Sequence, residues 1–248
     1  MRENSFQNKY RELEERMRAL AEKEGNVYVQ NPRPNGQAQY VFICMEPSLG
    51  SSSPGELQAR IEAGARNFFN SVEDFLLHFA ARRYLCDSGE RYHITDVSKG
   101  AMPVSQADTN RQQRYDRWYS LLRKEIDLVA TSDAHCFAVG MVVSDFLSER
   151  NFQRPFSYLL HYSPQAARAR NKGIEGHEVR FEAFRQSVSM KDVITEAEGV
   201  LDEAGLPDQF RDEALTRLEE SRLTPSRKKL LFNYKLEFQS APHLGRAG

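Results

Sequence analysis

The chain has 248 residues, of which 40% are hydrophobic and 28% charged, with a formal net charge of −1. That length holds one sizeable α/β domain with an appendage, or two small domains, and the composition is that of an ordinary globular protein. The near-zero charge excludes a bulk polycation and leaves a local basic stripe as the only route to nucleic acid. No apolar run approaches the roughly 18 residues of a bilayer span, and Met1–Phe6 lacks an apolar leader core, so a cytoplasmic protein away from membranes is expected. A monomer is the accompanying expectation. Cys44, Cys86 and Cys136 form no C-x-x-C pair. They are expected to act as small apolar residues, with no disulfide framework, metal or organic cofactor.

Along the chain, residues 4–24 repeat Phe6, Tyr10, Leu13, Met17 and Leu20 at helical spacing, and Gly25 stops the helix. Residues 26–38 are rich in turn formers and read as a loop. Gln39–Cys44 is an almost continuous apolar run, as expected of a central strand buried on both faces. After a loop over 45–53, Ser53-Pro-Gly-Glu56 forms a capping box with proline at the first helical position. A helix over 69–84 follows, with Val72, Phe75, Leu76 and Phe79 on one face. Next come a strand at Tyr92–Val97, a loop over 98–108 and a helix over 109–130 carrying Tyr115, Trp118, Leu122 and Ile126. A strand at His135–Gly140 ends in a glycine turn. A helix over 141–150 and a strand at Phe156–Leu160 complete the alternation.

This order predicts an α/β fold with a central, mostly parallel four-stranded sheet flanked by helices over residues 1–174. Ligands in such folds sit at the carboxyl ends of the strands. Residues 175–248 are expected to pack on the same domain as a helical, basic extension. Within it, 175–187 are mixed, 190–204 and 207–222 are helices, and Arg222, Arg227, Lys228 and Lys229 make a basic cluster. Phe232–Phe238 alternates apolar and polar residues and predicts an edge strand. Neither G-x-G-x-x-G nor G-x-x-x-x-G-K-[ST] occurs, which argues against a nucleotide-binding α/β protein.

The chemistry-bearing residues cluster at predicted strand ends. Cys44-Met-Glu-Pro-Ser-Leu-Gly50 sets a carboxylate, Glu46, on a stiff turn made by Pro47. Ile94-Thr-Asp-Val-Ser-Lys99 ends the second strand with Asp96. His161-Tyr-Ser-Pro-Gln-Ala-Ala-Arg-Ala-Arg170 follows the fourth strand, and its basic residues suit phosphate contacts. Gly64-Ala-Arg-Asn-Phe-Phe-Asn70 offers an aromatic ahead of a helix. Each segment also has a plain structural reading: a solvated carboxylate, a strand-end turn, a surface histidine, a core aromatic.

In order and spacing over about residues 38–172, these segments resemble the motifs of the uracil-DNA-glycosylase superfamily. Glu46 falls on the acid or amide that positions water, with Cys44 in place of the usual glycine. Met45 and Pro47 would border the base, and Ser48 the DNA. His161 falls on the histidine that steadies the departing base, Ser163 on the serine and Pro164 on the second proline, with Tyr162 in place of the first. Phe68, or else Phe69, falls on the aromatic that stacks on the flipped base. Asp96 falls on the asparagine that reads the base edge. Lys99, Ser163, Arg168, Arg170 and Lys172 would hold the DNA backbone.

The resemblance implies a DNA glycosylase that flips out a nucleotide and leaves an abasic site, with Glu46 and His161 as catalytic residues and DNA as partner. An ionised Asp96 only accepts hydrogen bonds, so it matches the amino group of cytosine and repels the carbonyl of uracil. Because ordinary cytosine fills host DNA, a modified or foreign cytosine is the consistent substrate. Some bacterial members remove glucosylated hydroxymethylcytosine in phage defence, and this chain is similar to them in that respect. A protonated Asp96 would instead suit a uracil or damaged-base enzyme of repair. A catalytically silent DNA-binding relative is the third reading.

Overall fold

The computed structural model describes residues 2–34, 36–86, 89–163 and 166–241, with side chains from residue 5 onward. The elements run α1 (Arg2–Lys23), β1 (Val27–Tyr28), β2 (Ala38–Cys44), α2 (Pro54–Glu62) and α3 (Val72–Ala80), which continues as a π-helical turn over Ala81–Leu85. They continue with β3 (Tyr92–Asp96), β4 (Gly100–Ala101), a 3-10 turn at Val104–Gln106, α4 (Arg111–Val129), β5 (Ala130–Val139), α5 (Met141–Glu149) and β6 (Phe156–Leu159). The chain closes with α6 (Ala167–Lys172), α7 (Glu178–Ser187), α8 (Met190–Ala204), α9 (Asp208–Glu219) and α10 (Pro225–Ser240).

The predicted sheet is present: four parallel strands in the order β3-β2-β5-β6. Strand alternation sends Tyr40 and Phe42 to one face and Val41 and Ile43 to the other. The first face packs with Phe137 against apolar residues of α3, α8 and α10. The second packs with Cys136 and Ala138 against α4 and α5. Helix α1 lies outside α4 and buries Leu13 and Met17 against Trp118 and Leu121. The register sets Cys44 opposite Asp96 and Val139 opposite Leu159, so all four carboxyl ends open on one side. No helix among the described residues is long and apolar enough to cross a membrane.

Local signals worked where they were chemical. Ser53 and Glu56 form the expected capping box, and Ser71 and Ser189 form two more with Asp74 and Asp192. The expected edge strand at 232–238 is wrong, because that segment lies within α10. Thr224 caps α10 and Pro225 opens it. The period-2 pattern of Phe232, Tyr234, Leu236 and Phe238 coexists with a helical one, and Leu230, Leu231, Tyr234 and Phe238 are the residues fully buried. The Phe238 ring stands 5.7 Å from Phe42 and 5.1 Å from Phe137, so the last helix closes one face of the sheet. Segment 175–187, read as mixed, holds α7, and 26–38 and 98–108, read as loops, contribute the small antiparallel pair β1–β4.

Candidate active site

Glu46 follows β2 directly, and its side chain is 5% exposed. Arg111 Nη2 donates to its Oε1 at 3.0 Å, Arg114 lies 3.6 Å from the same oxygen, and the Tyr115 hydroxyl donates to Oε2. All three partners come from the first turns of α4. Burial, then the charge of Glu46, holds the Tyr115 phenol well above its ordinary pKa, so it stays a donor. Pro47 is buried, Met45 packs half-buried against the second core, and Ser48 is exposed, accepting from the Gly50 amide at 2.9 Å.

Asp96 closes β3 at 2% exposure. Asn67 Nδ2 donates to its Oδ2 at 2.6 Å. Burial raises the Asp96 pKa well above the carboxylate range, Lys99 opposes this, and the charge of Glu46 adds to it. Burial thus moves Asp96 in the direction of the neutral acid, the form that suits the uracil alternative as well as the cytosine one. Phe68 follows Asn67 with φ of 63°, a left-handed conformation costly for an aromatic residue. Its ring is 2% exposed within the main core, and its carbonyl accepts from His78 Nε2 at 3.2 Å. Phe69 instead stacks on His78 at 5.4 Å.

His161 follows β6. The Ser163 backbone N–H donates to its Nδ1 at 3.0 Å, which leaves the ring proton on Nε2. Burial, then the Arg170 charge, lowers its pKa to about 4, so the ring is neutral near pH 7. The turn at Gly140, at the end of β5, makes room for this ring. A Cβ at Gly140 would lie 3.3 Å from His161 Cβ, and the backbone there has φ of +95°.

Two expected DNA contacts point inward instead. Lys99 is 1% exposed and pairs with the fully buried Glu125 at 2.7 Å, while also donating to the Asp96 carbonyl at 2.9 Å. His93 and Thr95 complete the ligation of Glu125 at 3.2 and 2.8 Å. A buried carboxylate requires a counter-charge, and Lys99 supplies it. Arg170 is 7% exposed and donates to the carbonyls of Tyr162 and Ser163 and to Ser226 Oγ at 2.9 Å. It braces the loop after His161. Arg168 and Lys172 are exposed on α6, Ser163 is half-buried, and Pro164 lies outside the described residues.

The structure thus sets Glu46, Asp96 and His161 at the carboxyl ends of β2, β3 and β6, on one side of the sheet, with the charge of Glu46 felt at Asp96. It adds Asn67, Arg111, Arg114, Tyr115 and Gly140, which sequence reasoning did not assign to the site. Only the strand-end glycine carried a signal, and it was read as a turn alone. Comparisons with protein-family models, curated proteins and solved structures found no match.

Proposed function

We propose that this chain is a DNA glycosylase of the uracil-DNA-glycosylase type, acting on an extruded pyrimidine nucleotide and leaving an abasic site. The observation that carries the reading is His161: a neutral ring with its proton on Nε2, held past the end of β6 on the side of the sheet where Glu46 and the Asn67–Asp96 pair also lie. As the bond between C1′ and N1 breaks, its electron pair leaves with the base and positive charge grows on the sugar. His161 Nε2–H donates to the O2 oxygen where the base gains negative charge. Glu46, oriented by Arg111 and Tyr115, stabilises the sugar cation and aligns the water that adds to C1′. The water gives up a proton, and the base anion finally takes one.

A neutral Asp96 presents one donor and one acceptor. That edge pairs with N3–H and O4 of uracil or with N3 and the amino group of cytosine. The substrate class is therefore a pyrimidine, with the modified cytosine of foreign DNA as the narrower proposal and uracil as its rival. The silent-relative reading is favoured by one feature: both oxygens of Glu46 already accept donors from α4.

The test is excision on matched DNAs carrying cytosine, uracil, hydroxymethylcytosine or its glucosylated form, with abasic sites read by alkaline cleavage. Cleavage lost in Glu46→Gln and reduced in His161→Gln supports the proposal. DNA binding without any cleavage selects the silent relative.

A further inference from the structure

We infer that the DNA-backbone track of this protein does not end with α6 but continues onto residues 222–229, which lead into and open the C-terminal helix α10, an inference that rests on the glycosylase reading. The basic cluster at 222–229 is far from His161 in sequence, but the fold fastens it to the loop that His161 begins. Arg170 is the fastening. Its guanidinium holds the Tyr162 and Ser163 carbonyls on one side and Ser226 Oγ on the other.

Three further contacts fix α6 against α10. Asn233 Nδ2 donates to the Arg170 carbonyl at 3.2 Å, and Lys229 Nζ donates to Asn171 Oδ1 at 2.7 Å. Gly173 sits where any side chain would collide with Asn233. The two basic segments therefore form one rigid ledge beside the candidate site.

The charges on that ledge divide by their partners. Arg227 is neutralised by Glu73 at 2.9 Å, and Lys228 turns to the Arg185 carbonyl. Arg168, Lys172 and Arg222 are exposed, and Lys229 meets only a neutral amide. These four cations make no ion pair within 4.0 Å among the described residues. Cations held on a rigid ledge and not neutralised by protein carboxylates suit phosphates, whose binding releases counterions. The partner is the sugar–phosphate backbone of DNA, contacted without regard to sequence.

Fluorescence-anisotropy titration of the full chain with a labelled duplex, at several salt concentrations, tests this. Arg222→Glu and Lys229→Glu are each expected to weaken binding about five- to tenfold and to lower the salt slope by about 1. Lys229→Gln, which keeps a donor for Asn171, should weaken it less but in the same direction. Lys23→Glu, on α1 across the sheet, should leave binding unchanged, and thermal melting verifies that each variant folds. Wild-type binding in Arg222→Glu and Lys229→Glu, or equal weakening in Lys23→Glu, overturns the inference and leaves the glycosylase reading standing. Weakened binding as expected, with no base of the panel excised, sustains the ledge and removes the glycosylase. A wild-type chain that binds no duplex overturns both.

Discussion

Asn67 donates to Asp96 across 2.6 Å, joining the segment before α3 to the end of β3. The contact turns a lone carboxyl into an acid–amide pair. Asn67→Asp removes the amide donor to Asp96 and sets a second carboxyl in its place. Two acids at that distance must share a proton or repel. Chemical denaturation should show a loss of about 1–3 kcal/mol for Asn67→Asp near neutral pH, the penalty of an unsatisfied buried polar contact. Asp96→Asn, which keeps one donor and one acceptor, should be far milder. Equal stability of Asn67→Asp and the wild type would show that the pair does not form.

Gly140 and His161 make the second testable pair. Gly140→Ala places a methyl against the imidazole in a backbone conformation that alanine resists. A cost of about 1–3 kcal/mol is expected from the strain alone. If the excision reading holds, activity should fall further than stability, because His161 must shift. Thermal melting and the cleavage assay separate the two effects.

Tyr115→Phe removes a donor from Glu46 and leaves the ring in place against Phe146 at 5.2 Å. Loss of a hydrogen bond to a charged group costs about 1.5–3 kcal/mol. Urea titration should find that loss. Under the glycosylase proposal, excision should also drop with little change in DNA affinity, since Tyr115 orients a group that acts on the sugar.

Stability should fall on the acid side of neutrality because of His78. Its Nε2 donates to the Phe68 carbonyl and its Nδ1 accepts from the Tyr92 hydroxyl at 2.8 Å, so both nitrogens are engaged in the neutral form. Burial lowers its pKa from 6.5 to about 4. Above 6.5 neither the folded nor the unfolded chain holds the proton. As the pH falls from 6.5 towards 4, the unfolded chain takes up a proton that the fold refuses, at a cost approaching about 3 kcal/mol. Glu125 adds to this below its ordinary value. Burial alone would raise it, but Lys99 and His93 together hold it down to about 2, so its contribution is lost between 4.5 and 2. Asp96 works in the opposite sense, its raised pKa favouring the fold at low pH. Denaturant midpoints at pH 7.5, 6 and 5 should decline in that order, and less steeply in His78→Gln.

Phe238→Ala should cost about 3–5 kcal/mol, the usual penalty for emptying a buried aromatic site. Its ring packs edge-on against the stacked pair Phe42 and Phe137. A chain cut before Thr224 should fail to fold cooperatively, as followed by near-ultraviolet circular dichroism. A cooperative fold in the shortened chain would make α10 an accessory.

The amino-acid sequence by itself determined the alternation of strands and helices, the parallel sheet, the capping box at Ser53 and the placing of Glu46, Asp96 and His161 at strand ends. Those features rest on local periodicity and turn chemistry, which neighbouring residues encode. It misplaced Phe232–Phe238, where apolar spacing served a strand and a helix alike and only packing against Phe42 and Phe137 chose between them. Tertiary structure alone decided which polar groups face inward. Lys99 and Arg170 read as surface cations, yet a buried carboxylate and two loop carbonyls, brought close by the fold, claim them. Asn67 and the α4 residues Arg111 and Tyr115 became site residues for the same reason. A hydrogen-bond partner 29 or more positions away leaves no periodic trace in the chain, and burial sets the charge state of Asp96 only after the sheet has closed around it.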